Sequence, residues 1–567
     1  MTGAAAQAEV ELEACFLEVQ ALCHKRGLNP VRLAEAPKGY LRLQLQGATS
    51  LWTVDVDCDW ASLTRLPRIW LQLPIPLLAH VNYSGSVCVN DAQGLSLDLD
   101  RRPDVVAYTV GAAFDLLEKS AADATCGLVE FYNELEGYWL WLPEACAARA
   151  AIEVDGKDRL VTGYVDSKNK TPKWYFTERA TPAPREFYIK ELAAQRALYV
   201  HLDTPIEPPT HPSKLDATFV ETVRGNFSPV QGDLWNQLVG PSKNGPRLLS
   251  LLVSVPRAAG GLSFIGVSFW ARGGKVDLKA AVRPLSVRRH TAAYMRERGG
   301  ASLELSSKHV VVFGCGAVGS EVADALAAAG VGHLTLVDDD DFSEDNVFRH
   351  VLEPLWIGSP KVSGLKFELT RKYPGLTVIA ADEIAQSWLV KHDLKNVDGV
   401  VLALGLPTLE RMLARRLRRF QKLVPLLFTW LEPLDIGGHS VLVSTQGSGC
   451  LDCLYRDEEG VPVLYPRTSF LEPDQHVSRN LTGCSNVFVP FGALQSRRTA
   501  LMAAEHLLAA LSGIQGPSYR FWAGEGSTAA AQGLRTTTWW HHAPTTTALD
   551  ATRSVFGRPC RRCRDTA

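Results

Sequence analysis

Two kinds of chemistry are written into short stretches of this chain, phosphate binding on glycines and thiol chemistry on cysteines. "HVVVFGCGAVGSEVADALAAAG" sets Gly314, Gly316 and Gly319 as a G-x-G-x-x-G turn between an apolar run and an alanine-rich one. Lacking side chains there, backbone N–H groups can approach phosphate oxygens at the start of the next helix. In "LTLVDDDDFSEDNVFRH", Asp338 is placed to accept hydrogen bonds from ribose hydroxyls. Asn346, Arg349 and, in "GSPK", Lys361 add donors and positive charge. Such a set suits a nucleoside triphosphate attacked at its α-phosphate by a carboxylate, with pyrophosphate departing. The glycine turn alone also fits a dinucleotide oxidoreductase, but that chemistry has no need of the Asn346, Arg349 and Lys361 cluster.

"GSGCLDCLYRD" and "GRPCRRCRDTA" hold two C-x-x-C pairs, Cys450 with Cys453 and Cys560 with Cys563. Four thiolates from paired turns make a tetrahedral zinc site, the alternative being two redox or incidental pairs. In "RNLTGCSNVFVPFGALQSRRTALMAAEHLL", Cys484 sits in a short polar loop before a helical segment, a setting for an accessible thiol whose pKa a helix N-terminus, Arg497 and Arg498 would lower. A packing cysteine is the alternative there. "PRIWLQLPIPLLAHVNYSGSVCVNDAQG" places Cys88 after a glycine, with His80 and Asn82 upstream. Cys15, Cys23, Cys58, Cys126, Cys146 and Cys315 are most simply packing residues. The two histidines of "TTTWWHHAPTT" lack a third spaced ligand and read as part of a folded loop.

These residues need elements to hold them. At 567 residues the chain exceeds one core, and domains of about 100 to 200 residues predict three or four of them. Helical spacing from Ala6 to Arg26 gives way to "GYLRLQLQG", "SLWTVDVDCDW" and "PRIWLQLP", which alternate as antiparallel strands. The Cys88 loop follows, then helices in "PDVVAYTVGAAFDLLEKSA" and "LVEFYNELEGYWLWL", giving an α+β first domain over residues 1–150. From 151 to 300, strand-like runs such as "RLLSLLVSVP" and "LSFIGVSFWARGG" between proline-rich connections carry no catalytic constellation and read as a bridging domain. The motif-bearing domain takes residues 301–567, its turn set between strand and helix as in a Rossmann-like fold. An α/β multidomain protein is expected.

Composition excludes several partners. Hydrophobic residues at 46%, charged residues at 21% and a net charge of -2 give no general attraction to nucleic acid or membrane. No run approaches the roughly 18 apolar residues that span a bilayer. "MTGAAAQAEVELEACFLEVQ" lacks the basic start and apolar core of a secretory signal, so a cytoplasmic location is expected.

On the glycine turn, "DDDDFSEDNVFRH" and "GSPK", residues 305–567 resemble the ThiF-type adenylating domain shared by ubiquitin-activating enzymes and the sulfur-carrier activators of thiamine and molybdopterin synthesis. The resemblance implies ATP as a co-substrate that adenylates a protein's C-terminal carboxylate, with Asp338 on the ribose and Asn346, Arg349 and Lys361 on the phosphates. It also implies a structural zinc on the four cysteines. Magnesium is implied too, held in part by an aspartate after a later strand. Here "VDGVVLALGLPTLERML" has Gly405 and Leu406 in that neighbourhood, with Asp398 at the strand's start and Glu410 on the following helix. Arg296 and Arg298 in "RRHTAAYMRERGG" are similar to arginines that in this family reach the partner protomer's ATP, which implies a homodimer. The Cys484 segment resembles the catalytic-cysteine region of ubiquitin-activating enzymes and implies capture of the activated C-terminus as a thioester.

The stretch from His80 to Cys88 resembles the active site of ubiquitin-conjugating enzymes, with His-Val-Asn where they usually read His-Pro-Asn and a short gap to the cysteine. It implies Cys88 as a second thioester cysteine and Asn82 as an oxyanion donor. The order of conjugating-like, bridging and activating-like domains resembles the fused ubiquitin-transfer-like proteins of bacterial antiphage CBASS operons, where a cyclase is the conjugated protein; related operons carry a ubiquitin-like modifier. The expected sequence is adenylation of a partner's C-terminus, capture by Cys484, transfer to Cys88 and attack by a target lysine. A sulfur-carrier activator, a nicotinamide oxidoreductase and a non-catalytic scaffold for protein tails are the alternatives, the first disfavoured by the second thiol domain.

Overall fold

Alternation in "YLRLQLQ" becomes the strand Tyr40–Gln46, whose Leu41, Leu43 and Leu45 are fully buried while their neighbours take the other face. The computed structural model describes the chain apart from residues 1–2, 49, 59–64, 73–77, 92, 123, 167–170, 179–194, 210–214, 243–244, 458, 482–486, 514–515, 559 and 565–567. Residues Met1–Thr291 form one compact unit and Ala292–Ala567 a second. In the first, Tyr40–Gln46 belongs to an antiparallel five-stranded meander in chain order, with Val31–Arg32, Leu51–Asp57, Ile69–Leu71 and Ser86–Val87. Helices Gly3–His24 and Arg102–Ala122 cover its apolar face with Phe16, Val19, Val106, Val110 and Leu117. Cys15, Cys23, Cys58, Cys146 and Cys315 are buried, as packing residues should be; the Cys126 side chain lies outside those described.

Downstream, "RLLSLLVSVP" and "LSFIGVSFWAR" are apolar at successive positions because both faces of their sheet are covered. Eight strands form this sheet, and pairing of Arg247–Pro256 with Leu262–Arg272 closes it on itself. Trp174, Phe176, Tyr199, Leu252, Phe264 and Leu285 fill the inside. Leu251, Val253, Ile265, Val267 and Phe269 point outward into a core shared with the helices Ala124–Leu140, Ala217–Arg224 and Pro229–Val239. Helix Ala124–Leu140 is fastened to the sheet by Trp139 Nε1 donating to the Gly266 carbonyl at 2.8 Å and by Arg289 paired with Glu136 at 2.6 Å. That attachment fixes the helix bearing Glu130 and Glu134.

The second unit is an α/β fold around a seven-stranded sheet, ordered Thr377–Ala381, His333–Val337, His309–Phe313, Gly399–Leu402, Pro425–Leu431, Gly437–Ser444, Ser518–Ala523. The first five are parallel; Gly437–Ser444 runs against them, and Ser518–Ala523, antiparallel to Gly437–Ser444, runs with them. "HVVVF", "HLTLV" and "GVVL" are almost wholly buried, as strands covered by helices on both faces must be. Chain order reverses between His309–Phe313 and Gly399–Leu402, so a crevice opens beyond their carboxyl ends. No helix among the described residues is long and apolar enough to cross a membrane.

Candidate functional site

The glycine turn stands at that crevice. Gly314 has φ +84°, and a Cβ there would lie 2.6 Å from the Ala403 carbonyl oxygen, which leads out of the neighbouring strand. A Cβ on Gly319 would lie 1.8 Å from the Gly314 carbonyl oxygen, so the helix Ala317–Ala329 packs directly on the turn. Gly316 meets nothing within 4 Å, leaving open space at the helix N-terminus. Asp338, just past the strand His333–Val337, accepts from the Cys315 N–H at 2.5 Å and the Asp340 N–H at 2.9 Å. Burial pushes its carboxyl above the ordinary range, against those two bonds and the nearby Lys361. Lys361 begins the helix Lys361–Lys372; its buried Nζ pairs with Asp340 at 2.8 Å, and Asp340 itself is largely exposed.

Arg349 and Asn346 sit half-buried on the 3-10 helix Glu344–Arg349. The Asn346 side chain closes a capping box with Ser343, and the Arg349 guanidinium lies 4.7 Å from the Phe491 ring centroid. The next residue, His350, is buried beneath the turn: its Nε2 faces the Cys315 carbonyl at 2.7 Å, and its Nδ1 accepts from the Leu352 N–H at 3.1 Å. A carbonyl only accepts, so Nε2 carries the proton, and burial pushes the imidazole pKa down to about 4. Sequence reasoning passed over His350 and Asp340; the only trace is their position inside the "DDDDFSEDNVFRH" stretch.

Neither carboxylate considered for magnesium reaches the crevice as a free ligand. Asp398 accepts from the His309 N–H at 2.9 Å, at the opposite end of a five-residue strand and so about 16 Å from the turn. Glu410, buried on the helix Pro407–Leu417, accepts through one oxygen from the Leu404 N–H at 3.0 Å and the Gly405 N–H at 3.1 Å. Burial pushes its pKa up to about 7. Arg296 donates to the Gly375 carbonyl at 3.2 Å, and Arg298 is exposed at the end of the helix Ala292–Arg298.

The two C-x-x-C pairs converge. Cys450, Cys453, Cys560 and Cys563 are buried with their sulfur atoms within 4.8 Å of one another. Separations of 3.7 Å for Cys450 to Cys560 and 3.6 Å for both Cys453 to Cys563 and Cys560 to Cys563 are too long for disulfides. They match the edge of a tetrahedron with Zn–S bonds of about 2.3 Å, roughly 3.8 Å. The donor set therefore fits zinc. Asp452, between two of the ligands, is gripped by Arg411 at 2.8 Å and Arg415 at 2.9 Å, a feature absent from the sequence reading.

Cys484 lies outside the described residues. Its flanks pair as antiparallel strands, Arg479–Asn480 with Val487–Phe488, and Phe491 beyond them lies against Arg349. The helix that follows begins at Ala493, and its first arginines are engaged elsewhere: Arg497 with Glu321 at 2.8 Å and Arg498 over the Trp522 ring at 4.5 Å. Each of these two arginines thus has a partner of its own within the second unit.

In the first unit, Cys88 is exposed beside a cavity of about 390 Å³ that His80, Asn82, Glu134, Tyr138 and Trp141 also line. The Cys88 N–H donates to the His80 carbonyl at 2.8 Å, and Val81 bridges Val87, so the two motif residues share one narrow loop. Asn82 Oδ1 accepts from the N–H groups of Ser84 at 2.9 Å and Ser86 at 3.0 Å, capping the loop's turn. His80, at φ +62°, is clamped between Glu134 at 2.8 Å and Glu130 at 3.2 Å, which raise its pKa above the ordinary histidine range. Burial first, then Glu134 and Asp91, raise the Cys88 thiol. Glu130 and Glu134 were not singled out from sequence, although their i, i+4 spacing in "LVEFYNELEG" puts both on one helix face.

Residues 288–538 match the ThiF family, a span that does not reach Cys88. Over 248 residues the chain is 29% identical to a protein of Pseudomonas aeruginosa described as ATP-dependent ubiquitin transferase-like protein Cap2, covering 42% of this chain and 43% of that one. Over 96 residues it is 32% identical to the molybdopterin-synthase adenylyltransferase of Escherichia coli, covering 16% of this chain and 39% of that one. The chain thus spans about two fifths of these relatives' lengths. Among solved structures, E. coli MccB with ATP is 17% identical over 39% of this chain and 62% of that one, with a TM-score of 0.28.

Proposed function

The chain carries a ThiF-type domain and is similar to Cap2 proteins, and from that premise we propose that it activates a partner protein's C-terminus with ATP and conjugates it to a target amine. The observation that carries this reading is the meeting of an open glycine turn, Asp338 and the buried Lys361 at one crevice of the parallel sheet. Asp338 fixes the turn through the Cys315 N–H and keeps lone pairs for ribose hydroxyls. Lys361, Arg349 and Asn346 face the phosphates, which take over from Asp340 as the counter-charge of Lys361. The partner's terminal carboxylate attacks the α-phosphorus, and pyrophosphate leaves. The Cys484 thiolate then attacks the acyl carbon of the adenylate, and AMP leaves.

Cys88 takes the acyl group from Cys484 by transthioesterification, and a lysine amine of the target attacks last, forming an isopeptide bond and freeing the thiol. The exposed thiol beside a cavity, on a loop clamped at His80, supports residues 1–150 as a ubiquitin-conjugating-like domain, with 151–300 as the bridge and 301–567 as the activating domain. The four cysteines hold zinc and tie the chain's end to the sheet. The conjugated partner in this reading is a CBASS cyclase in antiphage defence, a ubiquitin-like modifier being the other outcome to test. The working form is a homodimer in which Arg296 or Arg298 serves the other protomer's ATP. Exchange of labelled pyrophosphate into ATP tests the first step: it should depend on the partner and vanish in Lys361→Ala. Unaltered exchange in that variant would refute adenylation at this crevice.

A further inference from the structure

The helix Pro407–Leu417 touches both ends of the second unit's chemistry. At its start, Glu410 holds the Leu404 and Gly405 N–H groups, and residues 403–404 form the wall against which Gly314 is packed. Arg411, the next residue, and Arg415, one turn further on, both grip Asp452, which lies between Cys450 and Cys453 and is only 5% exposed. Arg411 also lies 4.3 Å from the Tyr455 ring centroid. Arg418, just past the helix, donates to the carbonyls of Ser444, Gly447 and Gly449 on the approach to Cys450. Side-chain bonds thus join Asp452, between two of the cysteines, to one helix, and join that helix to the Leu404–Gly405 segment packed against Gly314.

With zinc bound, the four thiolates would keep a net charge of -2, which would attract the two arginines and order the turn bearing Asp452. We infer that metal at the four cysteines sets the position of residues 403–405, and so the shape of the nucleotide crevice, with Asp452, Arg411, Arg415 and Glu410 as positioning residues. The inference rests on the reading of that crevice as an ATP site and goes beyond it by making nucleotide affinity depend on the distant metal.

Hydrogen exchange at the Leu404 and Gly405 amides reads the coupling without nucleotide, alongside metal content and ATP affinity. In the full chain, Arg411→Gln with Arg415→Gln should keep its zinc, yet exchange faster at those two amides and bind ATP about tenfold more weakly. Stripping zinc from the unaltered chain should speed the same amides, and stripping it from the double variant should add little, since the link is already cut. If the double variant is poorly folded, Glu410→Leu removes the acceptor at the far end and should make these amides insensitive to zinc removal. Protected amides in a zinc-loaded double variant, additive effects of the two perturbations, or a folded chain that binds no zinc would each overturn the inference. A chain that fails to bind ATP but shows the exchange pattern would refute the adenylation reading and retain the coupling.

Discussion

Gly314, Gly316 and Gly319 share one motif and are needed for different reasons. Gly314 adopts a left-handed conformation against Ala403, and Gly319 has no room for a Cβ. Gly316 has ordinary extended angles, φ -76° and ψ -154°, and open space before it. Gly319→Ala should therefore destabilise the second unit by about 1–3 kcal/mol, the cost of forcing an atom into a packed contact. Gly316→Val should melt close to the unaltered chain while losing ATP binding, because its side chain occupies the ligand's space. Paired thermal unfolding and calorimetric titration separate the two effects. Such differences are invisible in the sequence, where the glycines look alike; Gly314 is crowded by Ala403, 89 positions away, and Gly319 by the carbonyl oxygen of Gly314 itself, brought against it by the turn.

His80 supplies a prediction with a sign. Its pKa is raised in the fold by Glu134 and then Glu130, with Lys119 paired to Glu130 and with Cys88 and Asp91 on the adjoining loop. A raised pKa stabilises the protonated clamp fully below about 6.5, the ordinary histidine value, and that contribution is lost as pH climbs through the folded-state pKa. The Cys88 loop should thus loosen on the alkaline side. Nuclear magnetic resonance titration of the His80 ring should give a midpoint above about 6.5, and Glu134→Gln should move it down. An unmoved midpoint would mean that Glu134 does not hold the ring.

At the scale of elements, what could be read from sequence depended on how many faces an element buries. The meander was legible because Leu41, Leu43 and Leu45 alternate with polar neighbours, one face inward. Strands of the closed sheet showed only as apolar runs; Leu251 and Leu252 point to opposite cores, and nothing local says that Arg247–Pro256 pairs back onto Leu262–Arg272. The C-x-x-C pairs were legible despite more than a hundred intervening residues because metal-ligand spacing is local to each pair, whereas Asp452 was not, since its meaning lies in Arg411 and Arg415. Zinc binding predicts about one tightly held ion per chain, with Cys450→Ser or Cys563→Ser losing both the metal and part of the second unit's stability. Elemental analysis with thermal unfolding checks this, and a folded chain free of metal would contradict it.

For the whole molecule, the informative feature is a thiol in each of two compact units, with Cys88 in one and Cys484 in the other. The Cys88 setting is not that of a thiol activated for attack on its own, since burial and then Glu134 raise its pKa. Passage of an acyl group from Cys484 to Cys88 breaks one thioester and forms another, so the second thiol is loaded only after the first. The proposed relay therefore has an order. Cys484→Ala should still form the adenylate and exchange pyrophosphate but carry no thioester on either unit. Cys88→Ala should accumulate the partner on Cys484, as a band shift abolished by thiol reductant, and give no isopeptide product. Cys88→Lys places an amine at the transfer position and should trap the partner as a reductant-resistant amide. Normal conjugation by Cys88→Ala would remove the first unit from the transfer path and leave Cys484 to deliver the acyl group directly to the target.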